Sequence, residues 1–150
     1  CDWNEMPCAE RNKLRLLRYI KAEFKTETSY ILEQTKKQLD EYFTGNRKTF
    51  DIPLHPVGTD FQKKVWNALL DIPYGETRSY KEIAISMGTP NGTRAVAGAI
   101  GSNGISILIP CHRVIGSNHS LTGFAGGLAT KRFLLELEAE QKQHKMLIFK

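Results

Sequence analysis

The sequence predicts a two-domain α+β protein, with an α/β N-terminal domain over residues 1–56 and a mostly helical C-terminal domain with a helix-turn-helix over residues 57–150. Three observations predict this class. The chain has 150 residues, 41% of them hydrophobic and 25% charged, which suffices for one or two small soluble cores. Apolar residues recur at helical spacing through most of the chain. Pro53 and Pro56 place the segment around residues 50–54 at a sheet edge or at a domain boundary.

The N-terminal domain is predicted to contain two helices and a strand. Within residues 2–24, the apolar residues at positions 16, 17, 20 and 24 share one helical face, and basic residues occupy the opposite face. A second helix is predicted from Ser29 to Phe43, with Gly45 ending it. Its apolar stripe comprises Leu32, Leu39, Tyr42 and Phe43. Alternating apolar residues over 50–54 predict a half-buried strand.

The C-terminal domain is predicted from its helix-start signals. Thr59 with Gln62, and Ser79 with Glu82, have the form of capping boxes, so each pair should open a helix. The turn sequence at residues 89–92 and a helix over 93–100 complete a helix-turn-helix. The first helix should bury Phe61, Val65, Trp66, Leu69 and Leu70; a last helix over 130–140 should bury Phe133, Leu134 and Leu137. Residues 141–150 are expected to be a mobile tail.

The helix predicted over residues 93–100 is almost bare of side chains. It carries Ala95, Ala97, Gly98 and Ala99, and its one long cationic side chain is Arg94. A helix that reads base edges needs several polar side chains, so sequence-specific readout is not expected. Two interpretations remain open: a helix packed closely in the core, or one that lies in a nucleic-acid groove of any sequence.

A cysteine follows the most apolar short segment of the chain. Residues 105–109 are rich in β-branched side chains and predict a buried strand that ends at Pro110. Cys111 comes next, beside His112 and Arg113, in electropositive surroundings that favour the nucleophilic thiolate. An inert buried cysteine is the alternative interpretation.

The bulk composition restricts the partners and the compartment. A formal net charge of +5 is compatible with a polyanionic partner. Three cysteines suggest no paired framework and favour a reducing compartment. No apolar run approaches the ~20 residues of a membrane span, and we expect no signal peptide. We therefore expect a protein without membrane contact that is cytoplasmic, associated with the nucleoid, or nuclear in a eukaryote.

Several motifs in register resemble those of the O6-alkylguanine-DNA alkyltransferase family. They are Pro-Cys-His-Arg-Val at 110–114, Arg-Ala-Val-Ala-Gly-Ala at 94–99, Asn103 eight residues before the cysteine, Thr-Gly-Phe-Ala-Gly-Gly-Leu at 122–128, and the helix end at 134–138. The resemblance is strong from residue 53 to residue 138. It implies single-use transfer of an alkyl group from O6-alkylguanine to Cys111 after base flipping. The partner would be double-stranded DNA containing alkylated guanine, approached through the minor groove by a monomer that needs no cofactor; alkylated thymine remains an open second substrate.

The resemblance also assigns residues. It implies that His112 takes the thiol proton through a water, that Glu138 orients His112, that Tyr80 donates to the departing guanine, and that Asn103 bridges the helix-turn-helix to the active-site turn. The residues implied to contact DNA are Arg94, which replaces the extruded nucleotide, with Ala95, Ala97, Gly98 and Ser117. The substrate pocket would be formed by Val114, whose carbonyl accepts from the guanine amine as that of Cys111 does, with Phe124 and Ala125.

Three positions depart from the common family pattern and leave the range of alkyl groups open. Phe124 stands where many members have tyrosine, Ala125 where some have serine, and Gly101 where others carry arginine. Two alternative functions remain: a lesion-binding module, against which Cys111 argues, and a cysteine hydrolase, which would turn over. A zinc site from Cys1, Cys8 and His55 is not expected, since three candidates at irregular spacing make an incomplete ligand set, so no metal site is predicted.

Overall fold

The computed structural model describes residues 7–21 and 23–148, with side chains for 10–21 and 23–143. These residues form six α-helices, a 3₁₀ turn and two short strands. The elements are α1 (Pro7–Tyr19), α2 (Tyr30–Phe43), α3 (Asp60–Leu70), β1 (Arg78–Ser79), α4 (Tyr80–Ser86), α5 (Thr93–Gly101), the 3₁₀ turn (Cys111–Arg113), β2 (Val114–Ile115) and α6 (Leu128–Ile148). In the described part of the chain, no helix combines the length and apolarity needed to span a bilayer.

The predicted helix starts are confirmed by their caps. Thr59 and Ser79 each accept a hydrogen bond from the backbone three residues on, and Gln62 and Glu82 return one, so both capping boxes are complete. Ser29 likewise caps α2 by accepting from the backbone N–H of Leu32. These local signals work because the first N–H groups of a helix need acceptors that only nearby side chains can supply.

The core that supports the site is built by α3, α4 and α5. Val65 and Trp66 of α3 meet Val96 and Ile100 of α5 in one buried cluster. The Trp66 indole Nε1 donates to the Ala99 carbonyl at 2.8 Å, which joins the two helices by a buried hydrogen bond. Helices α4 and α5 also pack together across the turn at residues 89–92. This is the predicted helix-turn-helix.

A two-residue parallel pairing connects the start of the helix-turn-helix to the cysteine turn. Arg78 pairs with Val114 and Ser79 with Ile115. Since Tyr80 begins α4 directly after β1 and Cys111 precedes β2 by three residues, this pairing holds the tyrosine beside the cysteine turn.

Both strands predicted from sequence are wrong. Residues 50–54 are irregular, and the Asp51 N–H is satisfied by the Gln38 side chain at 2.8 Å, not by a neighbouring strand. Residues 105–109 form a tight turn in which Ile109 N–H donates to the Ile105 carbonyl at 3.0 Å and Ile107 has φ of 73°. The predicted burial of this segment holds, with Ile107, Leu108 and Ile109 all buried. Tertiary packing therefore overrode its β-propensity.

The last helix is longer than the predicted 130–140, because α6 begins at Leu128 and continues to Ile148, through most of the segment predicted to be a tail. The extension is anchored at Gln141, whose side-chain oxygen accepts from the Tyr74 hydroxyl at 2.6 Å. Two helix faces are rotated from their predicted orientation. Tyr42 is fully buried, whereas Phe43 and Phe133 are exposed and stack on each other at 6.5 Å. Further side chains predicted to be inward are exposed: Leu17, Ile20, Phe24, Leu32, Phe61 and Leu70.

Candidate active site

Cys111 lies at the start of the 3₁₀ turn, buried against the core of α3, α4 and α5. Burial raises the pKa of its thiol, and hydrogen bonding by Asn103 and the charge of Lys131 oppose this only in part. The positive neighbours that were expected to favour the thiolate therefore do not bring the pKa of Cys111 below its ordinary value. The physical reason is that both neighbouring side chains are hydrogen-bonded to Glu138 instead.

Glu138 is a fully buried carboxylate that accepts hydrogen bonds on both oxygens. Oε1 accepts from His112 Nε2 at 2.7 Å and from Arg113 Nη2 at 3.0 Å. Oε2 accepts from Arg113 Nε at 2.9 Å and from the Gly75 N–H at 3.0 Å. Burial alone would raise the pKa of Glu138, but hydrogen bonds from His112 and Arg113 lower it to about 2. The group is therefore a carboxylate at neutral pH.

The charge of Glu138 determines which nitrogen of His112 carries a proton. A carboxylate only accepts hydrogen bonds, so Nε2 must be the protonated nitrogen. Nδ1 is then the lone-pair nitrogen, and it is buried without a hydrogen-bond partner in the described structure. Burial lowers the pKa of His112, against the raising effect of Glu138, so the imidazole is neutral at rest. His112 is thus a neutral base with its free lone pair on Nδ1.

Tyr42 of α2 also reaches this carboxylate, which the sequence did not indicate. Its hydroxyl donates to Glu138 Oε1 at 2.7 Å across 96 residues of sequence. The helical spacing of α2 predicted only that Tyr42 belongs to an apolar stripe. No sequence signal identifies its partner.

Lys131 of α6 is a second residue that the sequence analysis missed. Its fully buried ammonium donates to the carbonyls of Val114 at 2.5 Å and Thr122 at 2.8 Å. Burial lowers the pKa of Lys131 to about 8. Its spacing could have indicated an inward position, because Lys131 shares one helical face with Leu134 and Glu138. The Val114 carbonyl, which the family resemblance assigns to the guanine amine, is thus already hydrogen-bonded to Lys131.

Asn103 makes the expected bridge between the helix-turn-helix and the cysteine turn. Its side-chain amide donates to the Ile109 carbonyl at 3.0 Å, and its oxygen accepts from the Ile105 N–H at 2.9 Å. Because both bonds are to backbone, they fix the path of the turn that presents Cys111.

A cavity of about 1030 Å³ shares Tyr80 and Phe124 with the core cluster that contains Cys111, whereas Cys111, His112 and Glu138 themselves are not among its lining residues. Tyr80, Phe124 and Ala125 line one part of it, and α5 lines another with Arg94, Ala97, Gly98 and Gly101. The Tyr80 hydroxyl donates to the Thr122 carbonyl at 2.9 Å, and burial raises the pKa of Tyr80, so this hydroxyl keeps its proton at neutral pH. The structure therefore brings two of the predicted pocket residues, Phe124 and Ala125, together with Tyr80 and the bare helix. Val114 lies outside the cavity in the core, and Ser117 is in an exposed turn elsewhere.

The bare surface of α5 is not explained by core packing. Val96, Ala99 and Ile100 face inward, whereas Arg94, Ala95 and Gly98 are exposed. A Cβ added at Gly98 or Gly101 would meet no atom within 4 Å. The exposed face of α5 is therefore smooth, and close packing in the core does not account for its small residues.

Among the side chains that the structure describes, no three His, Cys, Asp or Glu residues are grouped so that they could hold a metal ion. The zinc alternative depended on Cys1, Cys8 and His55. Cys1 and the side chain of Cys8 lie outside the described residues.

A helix-turn-helix with a smooth outer face, next to a buried cysteine and an imidazole–carboxylate pair, defines the class of nucleic-acid-binding enzymes with a cysteine nucleophile. Sequence comparison gives the family. Residues 60–140 match the DNA-binding domain of 6-O-methylguanine DNA methyltransferase, and residues 2–56 match its ribonuclease-like domain. The chain belongs to the 6-O-methylguanine DNA methyltransferase family, and the predicted two-domain α+β class is confirmed.

Named relatives agree with this assignment. The methylated-DNA–protein-cysteine methyltransferase of Methanosarcina barkeri is 56% identical over 112 residues, which are 75% of this chain and 71% of that protein. The Mycobacterium tuberculosis protein of the same name is 54% identical over 112 residues, or 75% of this chain and 68% of that protein.

Solved structures are similar as well. The crystal structure of Mycobacterium tuberculosis OGT in complex with DNA matches with a TM-score of 0.72 and 54% identity, covering 73% of this chain and 68% of that one. The O6-methylguanine-DNA methyltransferase of Pyrococcus kodakaraensis matches with a TM-score of 0.69 and 25% identity, covering 87% and 76%. The family resemblance seen in the sequence is confirmed.

Proposed function

We propose that this protein repairs DNA by transferring an alkyl group from the O6 atom of guanine to the sulfur of Cys111, once per molecule. The observation that carries the proposal is the buried neutral imidazole of His112, fixed by Glu138 beside a buried thiol. Alkylated thymine is a second candidate substrate of the same chemistry.

The proton moves before or during attack on the alkyl carbon. His112 Nδ1 accepts the Cys111 proton through a bridging water, and the Glu138 carboxylate stabilises the imidazolium that results. The sulfur then forms a bond to the alkyl carbon while the carbon–oxygen bond breaks. The electron pair of that bond passes to the guanine, and the Tyr80 hydroxyl donates a hydrogen bond or proton to the leaving base.

The alkylated base leaves the double-stranded DNA by extrusion before it enters the protein. The smooth face of α5 lies in the minor groove, and the exposed Arg94 occupies the place of the extruded nucleotide. The base enters the cavity between Tyr80 and Phe124. Extrusion costs a few kcal/mol and is cheapest for a damaged pair, so the lesion itself favours entry.

The reaction ends with a stable thioether on the protein. A dialkyl sulfide resists nucleophilic displacement, because the alkyl carbon would have to release a thiolate, and the proposed chemistry needs no cofactor, so each molecule acts once. We propose that the protein acts as a monomer in a cytoplasmic, nucleoid-associated setting, or in the nucleus if the source is eukaryotic.

Intact-protein mass spectrometry tests the function directly. Incubation with duplex DNA containing O6-methylguanine should add one methyl mass, located on the peptide that contains Cys111, and Cys111→Ala should gain none while still binding DNA. Methyl on another residue would refute the assignment of Cys111. Binding without any mass gain would favour a lesion-binding module, and multiple turnovers with an unmodified protein would favour a hydrolase.

A further inference from the structure

The N-terminal domain places a hydroxyl group against the buried carboxylate of Glu138. Tyr42 lies in α2 and is fully buried. Its hydroxyl donates to Glu138 Oε1 at 2.7 Å, and the same oxygen accepts from His112 Nε2 at 2.7 Å. The tyrosine and the imidazole therefore share one carboxylate oxygen, and Arg113 Nη2 is its third donor at 3.0 Å.

The position of this hydroxyl is fixed by the packing of its ring. The Tyr42 ring meets Phe43 edge-on with centroids 5.3 Å apart, and Tyr74 edge-on at 6.0 Å. Phe50 contacts it at 5.5 Å. Burial and the charge of Glu138 both raise the pKa of Tyr42 far above its ordinary value, so the group remains a hydrogen-bond donor throughout the working range of pH.

We propose that Tyr42 is a positioning residue that limits the basicity of His112 by sharing Glu138 Oε1 with it. A hydrogen bond to a carboxylate oxygen spreads the negative charge and so weakens the hold of that oxygen on its other partners. With Tyr42 present, the carboxylate fixes the Nε2 proton without making the imidazolium the resting state. The inference rests on the proposed function, in which neutral His112 must accept the Cys111 proton.

The other groups around His112 act in known directions. Burial lowers its pKa most, Glu138 raises it, and the charges of Arg113 and Lys131 lower it. Tyr74, which precedes β1, is the remaining titratable group beside Tyr42, and its pKa is raised to about 12 chiefly by burial. The pKa of Lys131 is about 8, so its titration lies above the acidic range in which His112 takes up a proton. Tyr42 thus acts on Glu138, the group that raises the pKa of His112.

Tyr42→Phe tests the proposal because it keeps the ring and removes only the hydroxyl. The acidic limb of the single-turnover methyl-transfer rate should move to higher pH by roughly half a unit or more, since His112 then holds a proton more strongly. The matched control is Tyr74→Phe. It removes a hydroxyl from the same aromatic cluster, but that hydroxyl donates to Gln141 and not to Glu138, so the limb should stay in place.

A second measurement follows the protonation of His112 directly and does not depend on methyl transfer. In ¹⁵N-histidine NMR titrations of the full chain, with the His112 signal assigned by His112→Gln, Tyr42→Phe should move the imidazole titration upward and Tyr74→Phe should not. A variant that loses the same fraction of activity at every pH, with an unmoved titration, would overturn the proposal and leave Tyr42 as a packing residue. Failure of wild-type protein to accept methyl would instead refute the proposed function, and the NMR result would stand independently of it.

Discussion

The Glu138 carboxylate determines the direction in which a proton can leave Cys111. Its pKa of about 2 makes it an acceptor only, so the His112 proton sits on Nε2 and the lone pair on Nδ1. The burial that raises the Cys111 pKa keeps the resting thiol protonated and chemically quiet. Reactivity then depends on the base and not on a preformed thiolate, which is the reverse of what the neighbouring positive side chains suggest in the sequence.

Replacement of Glu138 by glutamine should therefore slow transfer in a pH-dependent way. Glu138→Gln still accepts from Nε2 but carries no charge to stabilise an imidazolium, so His112 becomes a weaker base. We expect single-turnover transfer about 10- to 100-fold slower at neutral pH, at or below the lower end of the ~10²–10⁴ that general-base catalysis typically contributes, because the imidazole itself remains. The deficit should shrink as pH rises toward the elevated thiol pKa, where hydroxide removes the proton. Rates from pH 6 to pH 10 measure this.

The control for this variant lies on the same helix. Glu136 is exposed, so Glu136→Gln should transfer methyl at the wild-type rate at every pH. Glu138→Gln also leaves Arg113 without its carboxylate, at an expected cost of about 3–5 kcal/mol in unfolding free energy, so urea unfolding must show that it is folded during the assay. A constant deficit from pH 6 to pH 10 in folded protein would mean that Glu138 does not tune the thiol.

The sequence identified part of this group of residues and could not identify the rest. Cys111, His112 and Glu138 stand in family motifs, and the structure places all three together. Tyr42 was missed because its partner is 96 residues away, and helical spacing predicts burial without predicting which polar group the hydroxyl meets. Lys131 was missed although its spacing from Glu138 predicts an inward position, because an inward lysine is ordinarily assigned to the surface.

At the scale of elements, local signals predicted helix starts well and strands poorly. A cap depends on residues three positions apart, so Thr59 and Ser79 were decisive. A strand depends on a partner elsewhere in the chain. Residues 105–109 have strand propensity but bend into a turn, because Asn103 binds the backbone at both Ile105 and Ile109. That turn, and not a strand end, presents the cysteine.

The smooth face of α5 yields a prediction in two parts. An added Cβ at Gly98 meets no atom within 4 Å, so Gly98→Ala should raise the free energy of unfolding by about 0.5–1 kcal/mol, the usual gain for a helix-interior glycine. Gly98→Glu should leave the fold intact but weaken duplex binding by about tenfold or more, because it places a carboxylate against phosphates. Urea unfolding and fluorescence anisotropy measure the two effects.

A charge-matched control separates groove contact from net charge. Ala129 is an exposed small residue of α6 outside the cavity, so Ala129→Glu should bind duplex nearly as wild type does. Gly98→Glu should also react with a free O6-alkylguanine base within about twofold of wild type, since only duplex must pass α5. Equal binding by Gly98→Glu and wild type would place the DNA on another surface.

For the whole molecule, the distribution of charge matters more than the net value of +5. The cavity beside α5 is lined by Arg94 and also by Arg11 and Arg15 of α1, and its described lining includes no carboxylate. The sequence predicted a basic face on the first helix, but not that this face borders the active-site cavity. Composition gives only the total charge, whereas the fold places the guanidinium groups of Arg11, Arg15 and Arg94 around the same cavity. The predicted division at residues 56 and 57 falls between the two arginines of α1 and Arg94, so both predicted domains contribute side chains to the lining of this cavity.

This arrangement predicts a steep dependence of DNA affinity on salt. With about five phosphate contacts at ~0.9 per contact, the slope of log affinity against log salt should be roughly −4 to −5, a loss of several hundredfold between about 50 and 200 mM salt. Arg11→Ala and Arg94→Ala should each reduce the magnitude of the slope by about 1. Lys36→Ala is the control of equal charge, because Lys36 lies on α2 among Glu33, Asp40 and Glu41, and its slope should match wild type.

Anisotropy titrations on two unrelated duplexes should give nearly equal affinities, as expected for a helix without base-reading side chains. An unchanged slope in Arg11→Ala would show that α1 borders the cavity without contacting DNA.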